Sequence, residues 1–158
     1  MTQRRQFLAL GFAALPSLSL LPGAARASRL NPFEGVSTVE VFCNSAMVIE
    51  PIANPPFRQT IHRMDALDLM TRQLNSRLPQ GGEAQARQWV MQRQDQIKRA
   101  MSPVAAEVAN ATNLARYYRI DHLPAIVVNG RAVVYGVTDV AEAIERYQAH
   151  IQQQGRQP

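Results

Sequence analysis

The stretch from His122 to Tyr135, HLPAIVVNGRAVVY, constrains the fold of this chain more than any other segment. Pro124 on one side and Asn129-Gly130 on the other bracket four consecutive apolar residues, Ala125 to Val128. Asn-Gly is the dipeptide preferred where both central residues of a two-residue turn need positive φ, and Arg131 to Tyr135 has the composition of a return strand. The segment therefore predicts an antiparallel hairpin whose first strand is buried and enters through a proline turn.

The rest of the chain organises around that hairpin. Ser37 to Phe42 alternates toward an apolar run, with Val39 and Val41 on one face, and predicts a strand. A second strand is expected at Gln59 to Met64. Between them, Pro51, Pro55 and Pro56 exclude a long helix but leave room for one helical turn around Ala46 to Glu50. Asp65 is placed to cap a helix over 66–77, with Leu67, Met70, Leu74 and Leu78 at helical spacing and Pro79 beyond its end. Residues 83–101 read as a second helix with a weaker stripe of Ala86, Val90, Ile97 and Met101. Ser102-Pro103 reads as a restart, opening a third helix with Val104, Val108, Ala111, Ala115 and Tyr118 on its apolar face. Thr138 is expected to cap a last helix, whose core stripe is Val140, Ala143, Ile144, Tyr147 and Ile151.

At the amino end, Arg4 and Arg5 precede an apolar segment from Phe7 to Leu21, and Ala25-Arg26-Ala27 supplies the small residues a signal peptidase accepts. The apolar run, broken by Gly11 and Pro16, falls short of the roughly 20 residues needed to span a bilayer. The expected organisation is a cleaved signal at 1–27, a lead-in at 28–36, one domain at 37–151 and a polar tail at 152–158. No transmembrane segment is expected after cleavage. Export by the general secretory route or by the twin-arginine route both lead to the periplasm. Cleavage would remove three arginines and no acids, so the formal charge of +5 overstates how basic the working protein is. With one lysine, Lys98, among its 17 basic residues and no basic run interleaved with aromatics, the sequence gives no direct nucleic-acid signature.

Strand, proline-rich loop, strand, helical block, antiparallel hairpin opened by a proline, helix: this order predicts an α/β, thioredoxin-like mixed sheet. Its two parallel strands would be followed by a C-terminal hairpin, with the helical part between strands two and three enlarged. In such folds the proline that opens the third strand sits in a cis peptide beside the active cysteine. That role would fall to Pro124 opposite Cys43. The run VEVF, then IHRMDALDLMTRQLNSRLP, then PAIVVNGRAVVYGVTDV at residues 124–140 resembles the thioredoxin-like proteins of unknown function encoded within integrating conjugative elements. The resemblance implies an exported accessory of a type IV secretion and mating-pair apparatus, with protein partners in that apparatus and no assigned activity.

Cys43 is the only cysteine in the chain, and Ala46 stands where a Cys-x-x-Cys motif would hold the second thiol. A dithiol enzyme releases its mixed disulfide by attack from that second thiol, so Cys43 alone has no route to turnover within the chain. Two readings follow. In the first, the thiol is inert and a partner is bound at one of two surfaces: the groove rimmed by Cys43, Asn44, Ser45, His122, Leu123 and Pro124, which takes an extended peptide by strand addition, or the Ala-, Gln- and Arg-rich helical block. In the second, Cys43 is a monothiol oxidoreductase, isomerase or chaperone nucleophile resolved by another protein. His122, folded over Cys43, would make an activated Cys-His pair, but neither a third orienting residue nor an oxyanion hole is visible. His62 and His150 read as structural. One cysteine and three scattered histidines lack the spacing of a metal site, and no cofactor is expected.

Overall fold

The computed structural model describes residues 32–155; the expected signal segment lies outside them, as do the first positions of the lead-in and the last three of the tail. Seven elements follow in order: β1 (Thr38–Cys43), β2 (Arg58–Arg63), α1 (Ala66–Asn75), α2 (Glu83–Tyr117), β3 (Ala125–Val128), β4 (Ala132–Tyr135) and α3 (Val140–Gln154). The architecture is α/β. Its four strands form one mixed sheet in the order β2-β1-β3-β4, with β1 and β2 parallel and the remaining pairs antiparallel.

Both faces of the sheet are covered, which is why β3 reads as an unbroken apolar run. On one face Val39, Val41, Ile126 and Val128 pack against Val140, Ala143 and Ile144 of α3. On the other, Phe42, Ala125 and Val127 meet Leu114, Ala115 and Tyr118 at the carboxyl end of α2. Asn129 and Gly130 adopt φ of 53° and 64°, the paired positive values that a type I′ turn requires. The lead-in belongs to this unit: Phe33 stands edge-on to Phe57 with ring centroids 5.5 Å apart, and Val36 packs on the same cluster.

The parallel crossover from β1 to β2 contains no helix. A non-helical turn at residues 45–47 stands where a helical one is expected around Ala46 to Glu50, and Glu50 pairs with the start of α3: its N–H donates to the Thr138 carbonyl at 3.0 Å and its carbonyl accepts from Val140 at 3.1 Å. This use of Thr138's backbone accompanies a shift in the cap. Asp139, not Thr138, caps α3, its carboxylate accepting from the Ala141 amide at 2.8 Å. The helix then continues through Gln154, into what reads from sequence as a polar tail.

The larger correction concerns Ser102-Pro103. No restart occurs there. α2 runs through Pro103 as one 35-residue helix, about 52 Å long at 1.5 Å per residue. Proline lacks the N–H that would bond four residues back, and an interior proline ordinarily breaks or kinks a helix. Here the apolar stripe is continuous across it: Ile97, Met101, Val104, Val108, Ala111, Ala115 and Tyr118 recur at spacings of 4, 3, 4, 3, 4 and 3. The register of the carboxyl half, set by packing on the sheet, thus carries straight into the amino half. α1 ends at Asn75, two residues earlier than its sequence pattern suggests.

Candidate functional site

The register of β1 against β3 sets Phe42 opposite Ala125. Cys43 at the end of β1 and Pro124 at the start of β3 therefore lie at the same end of the sheet. The Leu123–Pro124 peptide bond is cis. Two loops leave from this end. In one, Ser45 is exposed and Asn44 half-buried; in the other, His122 is exposed and Leu123 half-buried. The sheet thus brings all six sequence-nominated residues, Cys43, Asn44, Ser45, His122, Leu123 and Pro124, to one end.

Within that group the roles divide. Asn44 folds its loop into a tight turn, accepting from the Met47 amide through its carbonyl at 3.2 Å and from the Ala46 amide through its side chain at 3.1 Å. Ser45 is tethered to Asp65: its amide donates to both carboxylate oxygens at 3.0 Å and its hydroxyl donates to the same group. Asp65 stands at the amino end of α1 but makes no capping bond there. Its carboxylate is spent on the Cys43 loop, and the Ser45 hydroxyl bond is the main reason its pKa lies below the ordinary carboxylate value.

Cys43 itself is inside the sheet, off the rim of the groove. It has no solvent exposure, and its thiol points at the His62 carbonyl on β2, 3.8 Å away. Burial pushes the thiol pKa up; the nearby Arg63 guanidinium opposes that shift, and Asp65 adds to it. No helix begins after Cys43, so the dipole that lowers a thiol's pKa at a helix amino end is missing. His122 does not fold over the sulfur. Its ring stacks on Tyr135, centroids 4.0 Å apart, and its Nδ1 lies 2.6 Å from Asp121, whose pKa that hydrogen bond lowers. His150 bonds Gln154 within α3 at 2.9 Å. Among the described residues no cluster of three or more His, Cys, Asp or Glu is arranged to hold a metal ion.

Sequence reading missed a polar group beneath the site. Glu40 faces the α2 side of the sheet together with Phe42, in a strand otherwise read for Val39 and Val41. The Tyr118 hydroxyl donates to Glu40 Oε2 at 2.5 Å, and His62 Nε2 lies 3.6 Å from Oε1, too far for a hydrogen bond. His62 is buried and stacks on Phe42 with centroids 4.8 Å apart. The available signal was period two itself, since a carboxylate two residues before a buried Phe needs a partner on the same face.

The bond to Glu40 raises Tyr118 from 10.0 to about 12. A raised folded-state pKa means that the folded chain keeps this proton longer than the unfolded chain does. The resulting contribution to stability is complete below pH 10 and is lost as pH climbs toward 12. Tyr118→Phe is expected to cost about 1 kcal/mol at neutral pH and to flatten that alkaline decline. Urea titrations of both proteins across this pH range check it; parallel curves would rule the bond out as a stabilising one.

A family model described as a protein of unknown function, DUF1525, matches residues 36–153. No curated protein and no solved structure matches.

Proposed function

We propose, for a chain that belongs to the DUF1525 family, the role of a periplasmic binding or assembly factor in the type IV secretion apparatus of an integrating conjugative element, working without thiol catalysis. The single observation that carries the non-catalytic part is the burial of Cys43. A nucleophilic thiol has to meet its disulfide partner at the surface as a thiolate, and this one is enclosed, aimed at a backbone carbonyl and held protonated by burial.

A thioredoxin-like reading of the fold draws support from the strand order, the single parallel pair, helices on both faces and the cis proline across from the end of β1. In that reading the groove between the Asn44-Ser45 loop and the His122-Leu123-Pro124 turn takes an extended segment of a partner subunit. Backbone pairing at Leu123 would supply affinity and the flanking side chains selectivity. The Ser45–Asp65 tether and the His122–Tyr135 stack hold the two walls in fixed positions, which lowers the ordering cost of binding.

Mating assays test the proposal. Replacing Cys43 with Ser is expected to leave DNA transfer at the level of the unaltered chain. A photo-crosslinker placed at position 45 is expected to capture a secretion-apparatus subunit. Loss of transfer with Cys43→Ser, or recovery of Cys43 in mixed disulfides with several exported proteins, would replace this role with that of a monothiol exchange factor or chaperone.

A further inference from the structure

A second surface, separate from the groove above, lies between α1 and the amino half of α2. α1 is strongly amphipathic yet has no fully buried residue, and α2 has none before Ala111. Where the two helices face each other, Leu74 from α1 and Trp89, Ile97 and Met101 from α2 line an open cavity of about 250 Å³. A cavity of about 150 Å³ holds benzene, so this one accepts one or two large apolar side chains. Arg77 and Arg93 line it as well, the Arg93 guanidinium lying 4.6 Å from the Trp89 ring centroid, and no carboxylate does.

Charge is divided along the same line. The segment from Ala66 to Met101 carries six basic residues against three acidic, while the other described residues carry six basic against nine acidic. Residues 1–31 contain Arg4, Arg5, Arg26 and Arg29 and no acid, so the chain's own amino-terminal segment is of the wrong sign to sit beside two arginines. A half-exposed apolar lining that includes Met70 and Met101, flanked by Arg77 and Arg93 with no carboxylate beside it, suits a complementary amphipathic element.

We infer that this cavity docks an amphipathic helix of a partner protein, its apolar anchors entering beside Trp89 and its flanking carboxylates pairing with Arg77 and Arg93. Binding in this mode is salt-sensitive, because the charged contacts lie at an open surface.

Trp89, the one tryptophan in the chain, reports on the site directly. The full chain is titrated with two synthetic helices that share a leucine stripe and differ only in carrying glutamate or lysine beside it. The glutamate helix is expected to shift Trp89 emission to the blue and to bind about tenfold more tightly than the lysine helix at low salt, with the advantage shrinking as salt is added. The double change Arg77→Glu and Arg93→Glu is expected to reverse the preference while leaving the circular dichroism spectrum unchanged. Equal affinities, an unresponsive Trp89 or an unreversed preference would overturn the inference. So would a concentration-dependent dimer that shields Trp89, which would give the cavity to a second copy, or a blue shift produced by anionic vesicles and not by either helix.

Discussion

In the folded protein, Cys43 is expected to react with a water-soluble aromatic disulfide at least about a hundredfold more slowly than in the urea-unfolded chain at the same pH. Exchange requires a thiolate and an open line of approach to it. The native structure supplies neither. Cys43 has no exposed surface, its Sγ donates to the His62 carbonyl at 3.8 Å, and burial raises its pKa against the pull of Arg63. Reaction must therefore wait for the end of β1 to open. Cys43 pairs with Arg63 across the parallel ladder, and the next residue, Met64, donates its amide to the Cys43 carbonyl at 2.9 Å, so opening disrupts sheet structure and not merely a loop. An opening free energy of about 3 kcal/mol suffices for a hundredfold reduction, and interior strands ordinarily exceed that. The release of coloured thiolate from the reagent, followed with and without urea, measures the ratio. Comparable rates in the two states would show the thiol to be accessible and would reopen its use as a nucleophile.

How much of this was readable beforehand divides by physical range. The hairpin was legible because Asn129-Gly130 states its turn geometry locally, and the mixed character of the sheet followed from a long crossover before it and a tight turn within it. The convergence of Cys43 and Pro124 followed from the same topology. What sequence concealed were competitions settled by tertiary partners. Asp65 is a sound capping residue in isolation, but the Ser45 amide and hydroxyl take its carboxylate. Thr138 could cap α3, but Asp139, paired with Glu50 of the crossover, holds the capping position and its carboxylate takes the Ala141 amide. Ser102-Pro103 is a strong local helix start, yet helical structure on both sides and a stripe in register across it outweigh the missing N–H. Sequence gives no means of ranking such contests, because each loser is a satisfactory local solution. The inward carboxylate of Glu40 differs: alternation placed it on the Phe42 face, and only its partner, Tyr118, required the fold.

The largest stability effect from a polar residue is expected at Asn129, whose part goes beyond turn geometry. Its Oδ1 accepts from the Ser37 amide at 2.8 Å, the Ser37 hydroxyl at 3.0 Å and the Thr38 amide at 3.2 Å. Its Nδ2 donates to the Gly35 carbonyl at 2.7 Å and to the Tyr147 hydroxyl at 3.2 Å. One side chain thus joins the hairpin to the lead-in, the start of β1 and α3. Asn129→Ala removes all five bonds, leaves the Ser37 and Thr38 amides without this acceptor, and puts a residue that disfavours positive φ at 53°. The expected loss is about 3 kcal/mol, which for a domain of this size lowers Tm by roughly 10 to 15 °C. Two further variants separate the causes. Asn129→Gly relieves the backbone but not the lost bonds, so it should recover only about 1 kcal/mol; Asn129→Asp keeps the acceptor oxygen and loses the two donated bonds, so it should fall between Gly and the unaltered chain. Thermal unfolding of the three ranks them, and a glycine variant as stable as the unaltered chain would reduce Asn129 to a turn former and nothing more.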